Sequence, residues 1–408
     1  MNQAAHLPER LDLVANARIP SLRAQSVQVL HVASAFASRV SHVRLLHARR
    51  HPQPQLPVGR ELFEYYGVPA GPRPNVVALP CIDWIDRVPT QLQYAPARLQ
   101  ELSFARSAAR AVRRESGRAW VYSREAETAL ALLRRGIPDV FVEIHRVPGG
   151  RLRRRWLRAV CRRATGLVAI SGGVAEDLIA LGADRGVVTV EHDGVALDHY
   201  VDVPPMEQAR SELGLAPNAP TVVYAGSLLP WKGVDVLLGA AERLPATRFV
   251  VVGGDADAIA GLRARHGELA NVRFDGFRPP EEVRRYLAAA DVAVVPNRST
   301  PAISARYTSP LKVFEAMGAG TAVVASDLFS MRDILEHDRT GWLVAPDDPD
   351  ALARGLAIVL SDPNLRIKLV THARKEVTRR SWDSRARRLI EWMGQRSAAA
   401  RIEEQGAR

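Results

Sequence analysis

The chain has 408 residues, 47% of them hydrophobic, and a formal charge of +12. That length exceeds one ordinary domain and fits two of about 200 residues each, while the absence of any run of about 18 uncharged apolar residues excludes a membrane-spanning helix. The charge is uneven: residues 1–200 hold 28 basic and 18 acidic residues, and the remainder 28 and 26. The first half therefore carries the field that attracts phosphates, an acidic membrane surface or nucleic acid.

The opening stretch, MNQAAHLPERLDLVANARIPS, has no basic segment followed by an apolar core, so no secretory leader is expected. Short apolar strands are predicted at 11–15, 42–46, 75–79, 119–122, 139–144, 166–170 and 187–191. Amphipathic or Ala-rich helical segments lie between them. One of these, 151–164 (RLRRRWLRAVCRRA), sets Leu152, Trp156, Val160 and Ala164 on one stripe and arginines around it. Such a helix either packs its stripe on the sheet with solvated arginines or docks on an acidic membrane. A second series of strands follows at 221–225, 247–252, 271–275, 291–295, 321–325 and 342–344. Strands alternating with helices imply parallel sheets covered on both faces. The expected fold class is α/β with two Rossmann-like doubly wound domains. Residues 1–205 form the first and 206–381 the second, a terminal helix spans 382–396, and 397–408 are a disordered tail.

In doubly wound sheets ligands bind beyond the carboxyl ends of the strands, so the loops there are the candidate sites. After 221–225 comes Gly226-Ser227 and then Lys232-Gly233. Gly226 lets backbone approach a ligand, and Lys232, at the opening of the next helix, can meet phosphate oxygens. After 291–295 a long loop leads into Ser309-Pro310-Leu311-Lys312. Ser309 is a good N-cap and Pro310 a favoured first helical residue, which would leave the N–H groups of Leu311 and Lys312 as an anion seat. Glu315, one turn on, can accept from a vicinal diol such as a ribose. Only four of the 56 basic residues are lysines, and two of them, Lys232 and Lys312, fall in these segments. Arg18 and Arg124 follow strands of the first domain, as binders of an anionic acceptor or as plain surface charge. Cys81 and Cys161 sit in no ligand spacing and read as the reduced thiols of a cytoplasmic protein. The 11 histidines form no metal cluster, so neither metal nor cofactor is expected.

Taken together these segments resemble glycosyltransferase family 4. VVYAGSLLPWKGVDVLLGA, FVVVGG, NVRFDGF, YTSPLKVFEAMGAGTAVVAS and GWLVAPDDPDALARGL carry the likeness in the second half. NARIPS, VYSREAE, EIHRV, AISGGV and EHDGV carry it in the first. The resemblance implies a GT-B fold, two Rossmann-like domains facing across a cleft with a last helix crossing back to the first domain. It also implies a retaining, metal-independent transfer from a nucleotide-diphosphate sugar. On the same ground Lys232 would hold the diphosphate and Glu315 the ribose. The Ser309–Lys312 backbone would touch phosphate and sugar, Gly276 and Phe277 would lie near the base, and His145 would reach the donor sugar. Two departures bear on donor recognition. Ser227 stands where many members have arginine, and Tyr307 stands where many have a first glutamate. A branch with the SPLK wording shares both.

The partners so implied are a nucleotide-diphosphate sugar donor and a glycan, lipid-linked or other hydroxyl acceptor. Peripheral contact with an acidic membrane is open, and no nucleic acid is expected. Two alternatives fit parts of the pattern. A GT-B sugar-nucleotide epimerase would use the same donor site without an acceptor. A non-enzymatic basic nucleic-acid-binding protein would use the charge alone, although no zinc finger, RRM-like aromatic motif or basic arm is present.

Overall fold

The computed structural model describes residues 7–21, 24–50, 56, 59–115 and 117–406, in two compact units. The first comprises residues 1–192 and 382–408, the second residues 193–381.

The first unit holds a seven-stranded sheet: β1 (Arg10–Arg18), β2 (Val43–Arg49), β3 (Asn75–Pro80), β4 (Ala119–Ser123), β5 (Val140–Ile144), β6 (Gly166–Ala169) and β7 (Val188–Val190). Its order is β3-β2-β1-β4-β5-β6-β7, every pairing parallel. The second holds six strands: β8 (Thr221–Ala225), β9 (Arg248–Val252), β10 (Val272–Gly276), β11 (Val292–Val295), β12 (Ala322–Ser326) and β13 (Trp342–Val344). Their order is β10-β9-β8-β11-β12-β13, again parallel throughout.

Each expected strand is present, because each is a short Val/Leu/Ala run that only a sheet covered on both faces can bury. In β8 the two faces separate residue by residue. Val222 and Tyr224 pack with Leu237, Phe249 and Leu356, whereas Val223 and Ala225 pack with Val250 and Tyr286. Both sheets reverse winding once, between β1 and β4 and between β8 and β11. Those switch points open the crevice in which such folds bind ligands.

Two boundaries differ from expectation. The first unit ends at His192, and residues 193–205, expected in the first domain, belong to the second unit. Val195 explains this: it pairs with Ser381 and is buried against Val313, Phe314 and Val377. The final helix runs Trp382–Gly406, so the segment expected as a loose tail from 397 is helical as far as Gly406. It returns to the first unit, where Trp392 meets Phe141 edge-on at 5.9 Å and Trp382 stacks on His31 at 5.6 Å. Ser397 is buried there and accepts from Arg118 at 3.0 Å, which anchors the helix beyond 396.

Candidate functional site

The switch point of the second unit gathers two cations. Lys232 lies in a 3-10 turn, Pro230–Lys232, rather than inside the next helix, which starts after Gly233 and runs Val234–Arg243. Gly233 is required here: its φ is +71°, and a Cβ would lie 1.8 Å from the Pro296 carbonyl oxygen. The loops after β8 and β11 therefore meet backbone to backbone. The Lys232 ammonium sits 4.0 Å from the Trp231 ring centroid, and burial pulls its pKa down to about 8. The Lys312 ammonium lies 4.3 Å from the Tyr224 ring centroid, is buried, and has no hydrogen-bond partner. Burial, then the charge of Lys232, hold it well below the usual lysine range. Glu315 opposes that shift, and its own carboxyl is pushed up to about 7 by burial. A desolvated ammonium that is further depressed by a second cation is stabilised by an anion placed beside both.

Lys312 belongs to the helix Leu311–Ala319, which ends on a left-handed Gly320. The expected cap needs correction. Pro310, not Ser309, occupies the N-cap position, and no side chain caps the helix. The Ser309 hydroxyl instead accepts from the Asp193 N–H at 2.9 Å, because the chain entering the unit passes beside it. Without a side-chain cap, the first turn keeps its unsatisfied N–H groups and positive end. Tyr307 is buried at the end of a π-helical turn, Ile303–Tyr307. Ser304 ties that turn to the Lys232 loop by donating to the Trp231 carbonyl at 3.3 Å.

Gly226 stands between these cations and the outer strands. A Cβ there would lie 3.8 Å from the Lys312 ammonium. The Tyr224 hydroxyl donates to the Ser227 carbonyl at 2.6 Å, and Ser227 itself is exposed. Gly253 packs so tightly that its Cβ would lie 2.0 Å from the Gly226 oxygen, and its N–H donates to the Gly276 carbonyl at 2.7 Å. The ends of β8, β9 and β10 thus form a rim of bare backbone. Beyond it the Phe277 ring is 46% exposed.

In the first unit the expected residues fall into a different environment. Arg18 ends β1 and is ion-paired with Asp86, with Asp83 at 3.9 Å. Arg124 follows β4 and is buried. Its Nε donates to Glu143 at 3.1 Å, and its Nη2 lies 2.8 Å from His145 Nε2. His145, at the end of β5, places the same Nε2 2.7 Å from Glu143 Oε1. Glu143 is fully buried, and the guanidinium of Arg385, with His145 and Arg124, holds its carboxyl well below the usual range against burial.

Three residues escaped the sequence reading. Glu143 could have been found, as a charge inside the apolar run VFVEI. Arg385 and Asn297 carry no local signal. Arg385 reaches Glu143 from the terminal helix at 2.5 Å, and Asn297, after β11, is fully buried with neither amide atom partnered.

The first unit also gathers the basic surface. The helices Tyr94–Arg114, Ala126–Leu133 and Arg151–Cys161 pack side by side. Arg110, Arg113, Arg114 and Arg135 line a cavity of about 350 Å³. Arg151, Arg154, Arg155 and Arg158 are exposed, and so is Leu152 at 60%, whereas Val160 is buried. The expected stripe is thus buried only at its C-terminal end. Arg153 is held inward by Glu101 and Glu127, at 3.4 and 3.6 Å. Both cysteines are free. Among the described residues no group of three or more His, Cys, Asp or Glu side chains converges as a metal site, and no helix is long and apolar enough to cross a membrane.

Two parallel Rossmann-like units with a terminal helix returned to the first are the elements of the GT-B fold. Sucrose-phosphate synthase from Thermosynechococcus elongatus shares this fold, with a TM-score of 0.76 at 20% identity, over 96% of this chain and all of that one. Residues 205–376 match the family model described as glycosyl transferases group 1. The chain is 34% identical to D-inositol 3-phosphate glycosyltransferase of Xylanimonas cellulosilytica over 238 residues, 55% of each chain. It is also 34% identical to phosphatidyl-myo-inositol mannosyltransferase of Mycobacterium tuberculosis over 208 residues, 48% of this chain and 53% of that one. The chain thus spans about half the length of the curated relatives it matches.

Proposed function

We propose that this chain is a retaining, metal-independent glycosyltransferase of the family 4 kind. It moves a sugar from a nucleotide-diphosphate donor to an acceptor hydroxyl. The observation that carries this reading is the buried, unpartnered Lys312 ammonium beside Lys232 at the β8/β11 switch point. A diphosphate supplies the missing negative charge. Glu315 takes the ribose diol, and the bare rim at Gly226 and Gly276 with the exposed Phe277 ring accommodates the nucleoside.

The chemistry follows from the charge arrangement. As the bond from the anomeric carbon to the diphosphate oxygen breaks, negative charge grows on the phosphate. Lys232, Lys312 and the uncapped helix end stabilise it without reorganising. Glu315 is the carboxylate that acts on Lys312. A covalent sugar–enzyme intermediate needs a second, suitably spaced carboxylate. As the resemblance to family 4 implies, the acceptor hydroxyl attacks from the face the leaving group departs, and its proton passes to a phosphate oxygen. Retention of anomeric configuration in the product, read by NMR, checks this step.

The first unit serves the acceptor, which is anionic or membrane-linked, and the enzyme acts in the cytoplasm with peripheral contact on an acidic membrane. The arginine surface of the three packed helices, with Leu152 exposed among it, supports this. So do the phosphate-bearing inositol names of the two relatives. The principal test is a thermal-shift panel of UDP-, GDP- and ADP-sugars. A bound donor at 100 times its dissociation constant adds about 2.7 kcal/mol of stability. No shift with any of them removes the reading. Epimerisation of the donor without acceptor replaces it with an epimerase.

A further inference from the structure

We infer that Glu143 is the positioning residue for His145: it fixes the ring with Nε2–H turned inward and leaves Nδ1 as the nitrogen that faces substrate. The inference deepens the proposed transfer reaction and rests on it for its kinetic part only.

A carboxylate in the middle of a buried parallel sheet is costly unless paired on every side. Glu143 is so paired. Its Oε1 takes His145 Nε2 at 2.7 Å and Arg124 Nε at 3.1 Å. Its Oε2 takes the Tyr122 hydroxyl and Arg385 Nη2, each at 2.5 Å. Four elements converge on one side chain: β4, the loop after it, the end of β5 and the terminal helix. Arg124 Nη2 also donates to Gln28 on the helix Ala24–Ala37.

The tautomer follows from donors and acceptors. An ionised carboxylate only accepts, and Glu143 is held ionised by two guanidiniums. The nitrogen 2.7 Å from it must carry the proton. Arg124 Nη2 directs one in-plane hydrogen to Gln28 and also lies 2.8 Å from Nε2, but a bare ring nitrogen 2.7 Å from a carboxylate oxygen would set two lone pairs against each other, so the Glu143 contact decides the tautomer. Among the described residues no hydrogen bond reaches Nδ1, and the His145 side chain is 29% exposed. The ring therefore shows one defined nitrogen outward at the carboxyl end of β5, where doubly wound sheets hold ligands.

Arg385 extends the arrangement. Its Nε donates to the His192 carbonyl at 2.7 Å, and its Nη2 lies 3.3 Å from the Glu191 carbonyl. Arg388 pairs with the Glu191 carboxylate at 2.7 and 2.8 Å. The terminal helix thus holds the last residues of the first unit and, through the same guanidinium, the carboxylate that orients His145.

The test has two arms. ¹⁵N-edited NMR of the wild-type chain, with His145→Gln used to assign the signal, should show a His145 Nε2–H protected from exchange. Arg385→Gln keeps the contact of Oε1 with His145 but releases Oε2, and should weaken that protection. In the kinetic arm, Glu143→Gln should lower kcat by about 10–100-fold, by analogy with the outer partners that orient metal-ligating histidines, with donor KM within about twofold. Leu178→Ala, a buried position on the helix Gly172–Ala180, is the destabilised control, with Tm lowered and kcat kept. A His145 ring protonated at Nδ1 with a bare Nε2 overturns the inference even if no variant folds. A Glu143→Gln enzyme with wild-type kcat also overturns it. If the wild-type chain transfers no sugar, the proposed function falls while the NMR arm still decides the tautomer.

Discussion

The two units make opposite use of charge at the carboxyl ends of their sheets. In the second unit Lys232 and Lys312 lie desolvated beside each other, and the nearby Glu315 is pushed up to about 7 rather than anchored in an ion pair. In the first, Arg124 and Arg385 converge on an ionised Glu143 that also holds Tyr122 and His145. A site left short of negative charge is less stable empty and binds an anion. A site whose charges are met internally is rigid and offers geometry. The division fits a reaction in which one partner brings a diphosphate and the other brings a hydroxyl.

The sharpest way to break this contrast is to remove the charge deficit. Lys232→Ala should abolish transfer and weaken nucleoside-diphosphate binding by about 100-fold, since charge-assisted hydrogen bonds contribute roughly 1.5–3 kcal/mol each. No arginine stands at 227 to compensate. Calorimetric titration with UDP, GDP and ADP measures it, and unchanged affinity would move the phosphates elsewhere. The isosteric Lys312→Met should lose donor affinity by about tenfold or more while the ligand-free protein gains stability on the order of 1–3 kcal/mol, because a buried unpartnered charge is gone. Denaturant unfolding of the empty protein reads that sign.

Glu315 sharpens the comparison through pH. Its folded carboxyl lies near 7, against an ordinary value of 4.5. Between those values the folded chain keeps a proton that the unfolded chain has released, so its contribution to stability is present below pH 4.5 and lost as pH rises through about 7. Glu315→Gln should flatten that slope in the ligand-free protein and weaken donor binding by about tenfold through the ribose. A slope unchanged by the substitution would place the titrating group elsewhere.

A smaller effect is expected on the basic helices. Near an acidic membrane each basic residue contributes about 1 kcal/mol. Changing Arg154, Arg155 and Arg158 to Ser should reduce co-sedimentation with anionic liposomes, and raised salt should do the same to wild type. Absence of binding at any composition leaves a dissolved anionic acceptor, recognised by salt raising the KM of acceptor but not of donor. The smallest effect belongs to chelation. EDTA should leave transfer intact, and reversible inactivation would require a metal that the proposed mechanism does not use.

The sequence by itself determined the thirteen strands, the two windings and the place of Lys232, Lys312 and Glu315. Those features are local: an apolar run of three to six residues reads as a buried strand, and a glycine-and-lysine loop at its end reads as a ligand loop. Tertiary structure alone decided how the groups are charged and paired. Ser309 reads as a cap in its own segment, yet its hydroxyl goes to Asp193, 116 positions away. Glu143 is paired from 242 positions away by Arg385, and the Lys312 ammonium is stripped of water by β8 and its loop. Such pairings depend on which side chains the sheets bring together across the chain. Local periodicity fixes each strand's faces but not the neighbour that will meet them.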